Sequence, residues 1–415
     1  MSDLVRQNDQ LRRILDVARY MAVTNDLDVL LGAIVEAVCE VLECERATIF
    51  LFDRERDELY SRVARGVDDI RFSADRGIAG AAARERKMVN VPDAYADERF
   101  NPEVDKETGF RTRNLLTFPL ENLAGDLIGV LQALNRNDGP FSKEDEKLAD
   151  VLAAQAGVAL DRARLMEEFA EKQRMQRDLE VAREIQQKLF PRKSPHVDGY
   201  EIAGWNRSAD ETGGDCYDFV PLPDGRVAIV LADATGHGIG AALIIAQCRS
   251  LIRAMLSVTD DLPAIAAGVN DLLADDLAAD RFVTAFLGIL DPKRHVIDYI
   301  SGGQGPLMHL SGNFVEQRNA NALPFAVIPG TDYDEPHHFK FPLAATLILL
   351  TDGFYEAQDP SGDFYGEART AEFIRRHGAA ELERLIADLH ADVQTFMQGA
   401  PQADDLTAVL VRRIG

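Results

Sequence analysis

Between residues 143 and 189 the chain reads KEDEKLADVLAAQAGVALDRARLMEEFAEKQRMQRDLEVAREIQQKL, with no proline and with Gly157 as its one glycine. A stretch of that length with no helix breaker must be a long helix, so the rest of the chain has to fold before it or after it. Leu148, Val151, Leu152, Leu160, Leu165, Phe169, Met175, Leu179, Ala182, Ile185 and Leu189 recur mostly at steps of three, four or seven, with charged residues between them. So narrow an apolar seam is either that of a dimeric coiled coil or that of a helix packed on its own domain. Pro191 and Pro195 end it. At 415 residues the chain exceeds one ordinary core, which calls for a domain on each side of the helix.

The formal net charge of −24 excludes nucleic acid as the natural partner, because phosphate backbones are bound by clustered Lys and Arg. Cys39, Cys44, Cys216 and Cys248 form no CxxC pair and no disulfide framework, which suits a reducing compartment. The opening MSDLVRQNDQ is too polar for a signal peptide. The longest apolar run, around residues 343–350, reads as a buried strand and falls short of a membrane helix. The expected location is the cytoplasm, with no membrane partner.

Before the long helix, Leu4, Leu11, Leu15 and Ala18 follow helical spacing, as do Leu30, Ile34, Val38 and Val41. ATIFLFD, LYSRVA, LLTFPL and LIGVLQALN read as strands, the last two joined by a turn at Gly125. This is a mixed α+β domain. After the long helix come the strands RVAIVLA, RFVTAFLGIL, HVIDYI, TLILLT and DLTAVLVRR, with helical stretches between them, which suggests a layered sandwich.

Four acidic stations stand out in this second half. GGDCYD holds Asp215 and Asp218; LADATGHG holds Asp233, where an apolar strand ends; LLTDG holds Asp352; and DDLT holds Asp404 and Asp405. A lone Asp at a strand end is ordinarily a turn former or helix cap. Several carboxylates gathered at one rim would instead repel one another and raise their pKa values unless a cation lay between them. An all-oxygen ligand set selects Mg²⁺ or Mn²⁺ over zinc.

The ordered series GGDCYD, DATGHG, LLTDGFYEA and DDLTAVLV, over about residues 185–413, resembles the metal-dependent type 2C protein phosphatases. Within them it is most similar to the bacterial branch of stage II sporulation protein E and the sigma-factor-regulating phosphatases. The resemblance implies an α/β/β/α sandwich with two Mg²⁺ or Mn²⁺ ions. It implies Asp233 as the bridging ligand, the Ala234 carbonyl on one ion, and Asp352 and Asp404 on the second. Asp215 would hold water at the metals, with Asp218 in support. The implied reaction is in-line attack of activated water on phosphoserine or phosphothreonine, with a phosphorylated anti-sigma-factor antagonist as substrate. His237 is either a proton donor or a local structural residue. This chain has Ser301-Gly302-Gly303-Gln304 where the branch has Ser-Ala-Gly-His, and Leu323-Pro324-Phe325-Ala326 where it has Leu-Pro-Leu-Gly.

Residues 20–165 resemble a GAF domain of the cyclic-nucleotide-binding type. NVPDAYADERFNPEVDKETGFRTRNLLTFPL carries the likeness, followed by Asn135, Arg136, Phe141, Asp145 and Glu146 in the order of the family signature, with Arg in place of Lys. That quintet reads as a structural clamp made by an ion pair. Ligand contacts implied by the family fall on Ile78, Ala79, Asp105, Thr108 and Thr112. Arg65, near the position that reads the purine edge, favours cAMP over cGMP, and Ala64 stands where a stacking aromatic is usual. The expected organisation is an N-terminal helix (1–19), a GAF sensor domain (20–145), a coiled-coil linker helix (146–190) and a phosphatase domain (191–415), acting as a homodimer. Two competing readings are a non-catalytic dimeric sensor that sequesters a partner, and a phosphatase of a small metabolite.

Overall fold

The computed structural model describes residues 15–21, 23–61, 70–278 and 280–415, with Val104, Glu107 and Thr108 described by backbone alone. Most of the expected N-terminal helix, and both Ala64 and Arg65, therefore lie outside the described residues. The chain divides into two compact units, Met1–Arg174 and Met175–Gly415.

The first unit contains α1 (Leu27–Val41), β1 (Cys44–Asp53), β2 (Glu58–Tyr60), β3 (Arg71–Ser73), α2 (Gly77–Glu85), β4 (Val89–Val91), α3 (Glu103–Thr108), β5 (Leu115–Glu121), β6 (Leu127–Arg136) and the opening of α4 (Lys143–Gln187). Asp26 caps α1 by accepting the Val29 N–H at 3.0 Å. The strands form one antiparallel sheet in the order β3-β2-β1-β6-β5-β4. Leu30 and Ile34 of α1 and Leu152 and Leu160 of α4 cover one face with Ile49 and Leu131. Ala79, Ala82 and Ala83 of α2 cover the other with Phe50, Leu59 and Val130.

The seam of α4 is divided. Ala149, Leu152, Ala156, Leu160 and Ala163 are core residues of the first unit, so this part of the helix is packed on its own domain. From Leu165 onward Phe169, Met175, Val181 and Ile185 are exposed. The Arg136–Asp145 ion pair, 2.8 Å, ties the end of β6 to the start of α4, and Asn90 reaches both Glu146 and the Phe141 carbonyl. Gly157 has a packing reason: a Cβ there would lie 2.1 Å from the Glu121 carbonyl oxygen, where the helix crosses the end of β5.

The second unit contains β7 (Tyr200–Arg207), β8 (Asp215–Pro221), β9 (Val227–Ala234), α5 (Gly238–Leu256), α6 (Leu262–Asp276), β10 (Val283–Asp291), β11 (Val296–Gly302), β12 (Leu307–Ser311), β13 (Phe314–Arg318), β14 (His337–Lys340), β15 (Thr346–Leu350), α7 (Glu367–His377), α8 (Leu382–Met397) and β16 (Leu406–Arg413). Two sheets, β14-β11-β10-β9-β8 and β13-β12-β15-β16-β7, pack face to face through Phe286, Tyr299, Phe339, Leu347 and Val409. Helices α5 and α6 cover the first sheet and α7 and α8 the second, giving the expected α/β/β/α sandwich. Strand β9 is apolar from Val227 to Ala232 because it is buried on both faces, with Val230 and Ala232 toward the helices and Ile229 and Leu231 toward the other sheet.

One expectation needs correction. Helix α5 is long and apolar enough to cross a membrane by length and composition. In this fold one face of it packs on the sheet through Ala241, Ile245, Cys248 and Ile252, and Arg249 and Arg253 reach Asp218.

Gly157→Ala should destabilise the first unit by about 1–3 kcal/mol from overpacking, although alanine is the better helix former by about 1 kcal/mol. Denaturant unfolding of the full chain reads this; a stabilised variant would show that the close crossing does not constrain the helix.

Candidate active site

Alternation along β8 and β9 aims the site. In β9, Asp233 shares a face with Ile229 and Leu231, toward the second sheet. In β8, Asp215 shares the face of Tyr217 and Phe219, and register pairs Asp215 directly with Asp233. The second sheet supplies the rest from the end of β15 and the start of β16. Asp352 opens a short 3₁₀ turn after β15, and Asp404 and Asp405 precede β16.

Asp215 is the pivot. Only 2% exposed, it accepts on one carboxylate oxygen the hydroxyls of Thr351 (2.7 Å) and Thr407 (2.6 Å). Burial, then the charges of Asp233 and Asp405, push its carboxyl well above the usual range. Asp233 is pushed up to about 8 by burial, with Asp352, Asp404 and Asp405 adding repulsion and a hydrogen bond to Asp215 opposing it. Asp352 rises to about 6 through burial and then through Asp404 and Glu356. Asp404 is exposed, with its carboxylate accepting the Asp405 N–H at 2.8 Å.

Asp405 is the structural acid that the sequence reading left unassigned. It is 6% exposed and accepts the backbone N–H groups of Ala209 (2.8 Å) and Asp215 (3.2 Å). Two glycines make room for it: a Cβ on Gly213 would lie 2.2 Å from its carboxylate, and one on Gly353 would lie 2.0 Å from its carbonyl. Motif glycines beside a strand-opening Asp pair were the available signal. Thr351 and Thr407 sit inside two of the motifs and were likewise unassigned. Gln186, near the end of α4, closes the ring: its amide accepts the Gly213 N–H (3.0 Å) and donates to the Gly213 carbonyl (2.5 Å).

Asp218 does not join this cluster. Three residues along a strand reverse the face, so it points to α5, where Arg253 Nη2 donates at 2.8 Å and Arg249 Nε lies at 2.9 Å without hydrogen-bond alignment. Asp218 is thus a clamp between helix and sheet rather than a supporting acid. His237 is exposed at the start of α5, its Nδ1 3.2 Å from Asp210. Gln304 is buried, donating to the Leu350 carbonyl and accepting from Thr284, so it braces β10 against the end of β15.

Among the described residues, no three Asp, Glu, His or Cys side chains are gathered closely enough to be a finished metal cage. The donor set nonetheless fits a hard divalent cation: it is all oxygen, largely buried, and its mutual repulsion is what a bound ion would relieve.

In the first unit, a cavity of about 740 Å³ is lined by Ile78, Ala79, Asp105 and Thr112, by the aromatic rings of Phe50, Phe72, Phe100 and Phe110, and by Arg46 and Arg76. Asp105 binds both the Thr112 N–H (2.7 Å) and its hydroxyl (2.8 Å), holding α3 against the start of β5, and Tyr95 donates to the same carboxylate. Thr108 lies on α3, with its side chain outside the described residues.

Residues 223–414 match the family model for stage II sporulation protein E, and residues 26–160 match that for the GAF domain. A probable 3′,5′-cyclic phosphodiesterase of Caenorhabditis elegans is 30% identical over 200 residues, 44% of this chain and 27% of that protein. A dual 3′,5′-cyclic-AMP and -GMP phosphodiesterase of Drosophila melanogaster is 43% identical over 120 residues, 28% of this chain and 8% of that protein. The chain thus spans about a quarter or less of these curated relatives. The SiaA-PP2C domain of Pseudomonas aeruginosa superposes with a TM-score of 0.52 at 22% identity, over 59% of this chain and 98% of that one, a likeness of fold.

Metal-free protein should lose stability as pH rises. These carboxyls have folded pKa values above their unfolded value near 4. Their stabilising protons are fully held below that value and lost as pH climbs through about 6 to 8. Chelator-treated protein should therefore melt lower at about pH 8.5 than at about pH 5.5, and Mn²⁺ should restore it. Asp233→Asn should raise the metal-free Tm at pH 8 by about 3–6 °C and remove the Mn²⁺ response; a pH-independent Tm would refute a repulsive cluster. Asp218→Ala should instead cost about 3 kcal/mol and keep that response.

Proposed function

We propose that this chain, which joins a GAF domain to a phosphatase domain of the stage II sporulation protein E type, is a metal-dependent protein serine/threonine phosphatase regulated by a small molecule. The observation that carries the reading is the convergence of carboxylates from four chain segments at one rim, with elevated pKa values. In this reading Asp233, Asp352, Asp404 and the Ala234 carbonyl hold two Mg²⁺ or Mn²⁺ ions. Bound ions of this kind neutralise phosphoryl charge and make water a nucleophile near neutral pH. Asp215 orients water at the rim, its carboxylate held in place by the Thr351 and Thr407 hydroxyls that donate to it. Asp405 keeps the 209–215 loop closed against β16. The substrate is a phosphorylated protein, with an anti-sigma-factor antagonist the candidate carried over from the phosphatase branch.

The first unit supports a cyclic nucleotide as the signal. Its cavity combines aromatic rings suited to a base with Arg46, Arg76 and the N-terminus of α2, which suit a phosphate. The exposed seam of Leu165, Phe169, Met175, Val181 and Ile185 supports a coiled-coil homodimer. Coupling would run along α4: its first turns belong to the core that adjoins the cavity, and its end grips Gly213 through Gln186.

Mn²⁺-dependent hydrolysis of a phosphoserine peptide, measured with and without cAMP and cGMP, tests this. Asp233→Ala should lower kcat by about 10³-fold or more. A nucleotide should change the rate or the Mn²⁺ half-saturation several-fold, and Gln186→Ala should blunt that change. No hydrolysis in any state would sink the phosphatase reading, and turnover of small phosphoesters alone would replace the protein substrate by a metabolite.

A further inference from the structure

An acidic rim has to admit a dianion. Metal charge can draw a phosphoryl group in, but holding its oxygens in one orientation takes N–H donors. The arginines of the adjoining helix are committed: Arg249 and Arg253 serve Asp218 on the helix side of the sheet. Arg281 is different. Among the described residues no carboxylate lies within ion-pair distance of it, and its Nη1 donates to the Thr235 carbonyl at 2.9 Å.

Register explains where it sits. Val283 pairs with Ala234 across β9 and β10, so Arg281, two residues earlier, lies opposite Gly236, two residues past Ala234. Thr235 and Phe282 zip the two segments together, Thr235 N–H to the Phe282 carbonyl (3.0 Å) and Phe282 N–H to the Thr235 hydroxyl (3.1 Å). The guanidinium occupies the space of a missing side chain: a Cβ on Gly236 would lie 2.5 Å from Nη1, and the glycine's φ of +91° turns the chain away beneath it. Arg281 is thus half-buried and anchored by one of its five N–H groups, beside the turn that follows Asp233 and Ala234.

We infer that Arg281 is the phosphoryl-binding residue of this site, presenting its remaining N–H groups to the oxygens of a phosphomonoester. The inference rests on the phosphatase reading above. A guanidinium suits the task better than an ammonium because its planar fork can take two phosphoryl oxygens at once.

The test uses full-length, Mn²⁺-loaded protein and inorganic phosphate as the probe. Phosphate binding by titration calorimetry, Mn²⁺ half-saturation and hydrolysis of p-nitrophenyl phosphate are measured for wild type, Arg281→Ala and Arg281→Lys, with melting curves as folding control. Arg281→Ala should weaken phosphate binding about tenfold or more and raise KM, with Mn²⁺ half-saturation unchanged. Arg281→Lys should fall between, and it carries the comparison if the alanine variant does not fold. Unchanged phosphate binding in the variants overturns the inference, as does a wild type that binds no phosphate. A loss matched by an equal shift in Mn²⁺ half-saturation also overturns it, making Arg281 a buttress of the turn that follows Asp233. Arginine-dependent phosphate binding without hydrolysis by wild type would uphold the anion site and defeat the phosphatase reading instead.

Discussion

A single buried carboxylate locks the two sheets of the C-terminal unit together at one rim. Asp215 leaves a strand of the first sheet and takes two threonine hydroxyls from the second, one at the end of β15 and one at the start of β16. Asp405 answers from the other side, taking the Asp215 N–H. Each of these bonds crosses between segments far apart in the chain, so none can form until the sandwich core has brought the sheets together. That core, stacked through Phe286, Tyr299 and Phe339, is remote from the chemistry but sets the spacing in which the acids meet.

The cluster costs stability. Raised pKa values on Asp215, Asp233, Asp352 and Asp405 are free energy lost whenever these groups ionise within the fold. The apolar layers on either side of both sheets can offset that cost, which is how a domain keeps a strained site. A divalent cation turns the same repulsion into affinity. The grip of Gln186 on Gly213 joins this balance to α4: the glycine that gives Asp405 its room is the one the helix end holds.

Much of this was legible in the chain. The strand runs ending on Asp233 and Asp352, the glycine pair before Asp215 and the Asp pair before β16 marked four stations of one site, because a polar residue closing an apolar strand is a local pattern. The helix over 143–187 was equally plain from its lack of breakers. Its seam could not be apportioned from the sequence: Leu160 and Leu165 look alike there, and only packing buries the first and leaves the second exposed. Asp218 misled for a related reason. It stands in the same motif as Asp215, but the two-residue period of a strand sends it to the opposite face and into the arginines of α5.

The sequence by itself determined the element types, the long helix and the identity of the acids, since these follow from composition and periodicity over a few residues. Tertiary structure decided which acids meet. Asp405 became the brace because backbone N–H groups of Ala209 and Asp215 reach it across nearly the whole domain. Arg281 came to face Gly236 because antiparallel register set it there. Hydrogen bonds and charges act over a few ångströms, whereas sequence separation says nothing of distance once a chain has folded into layers.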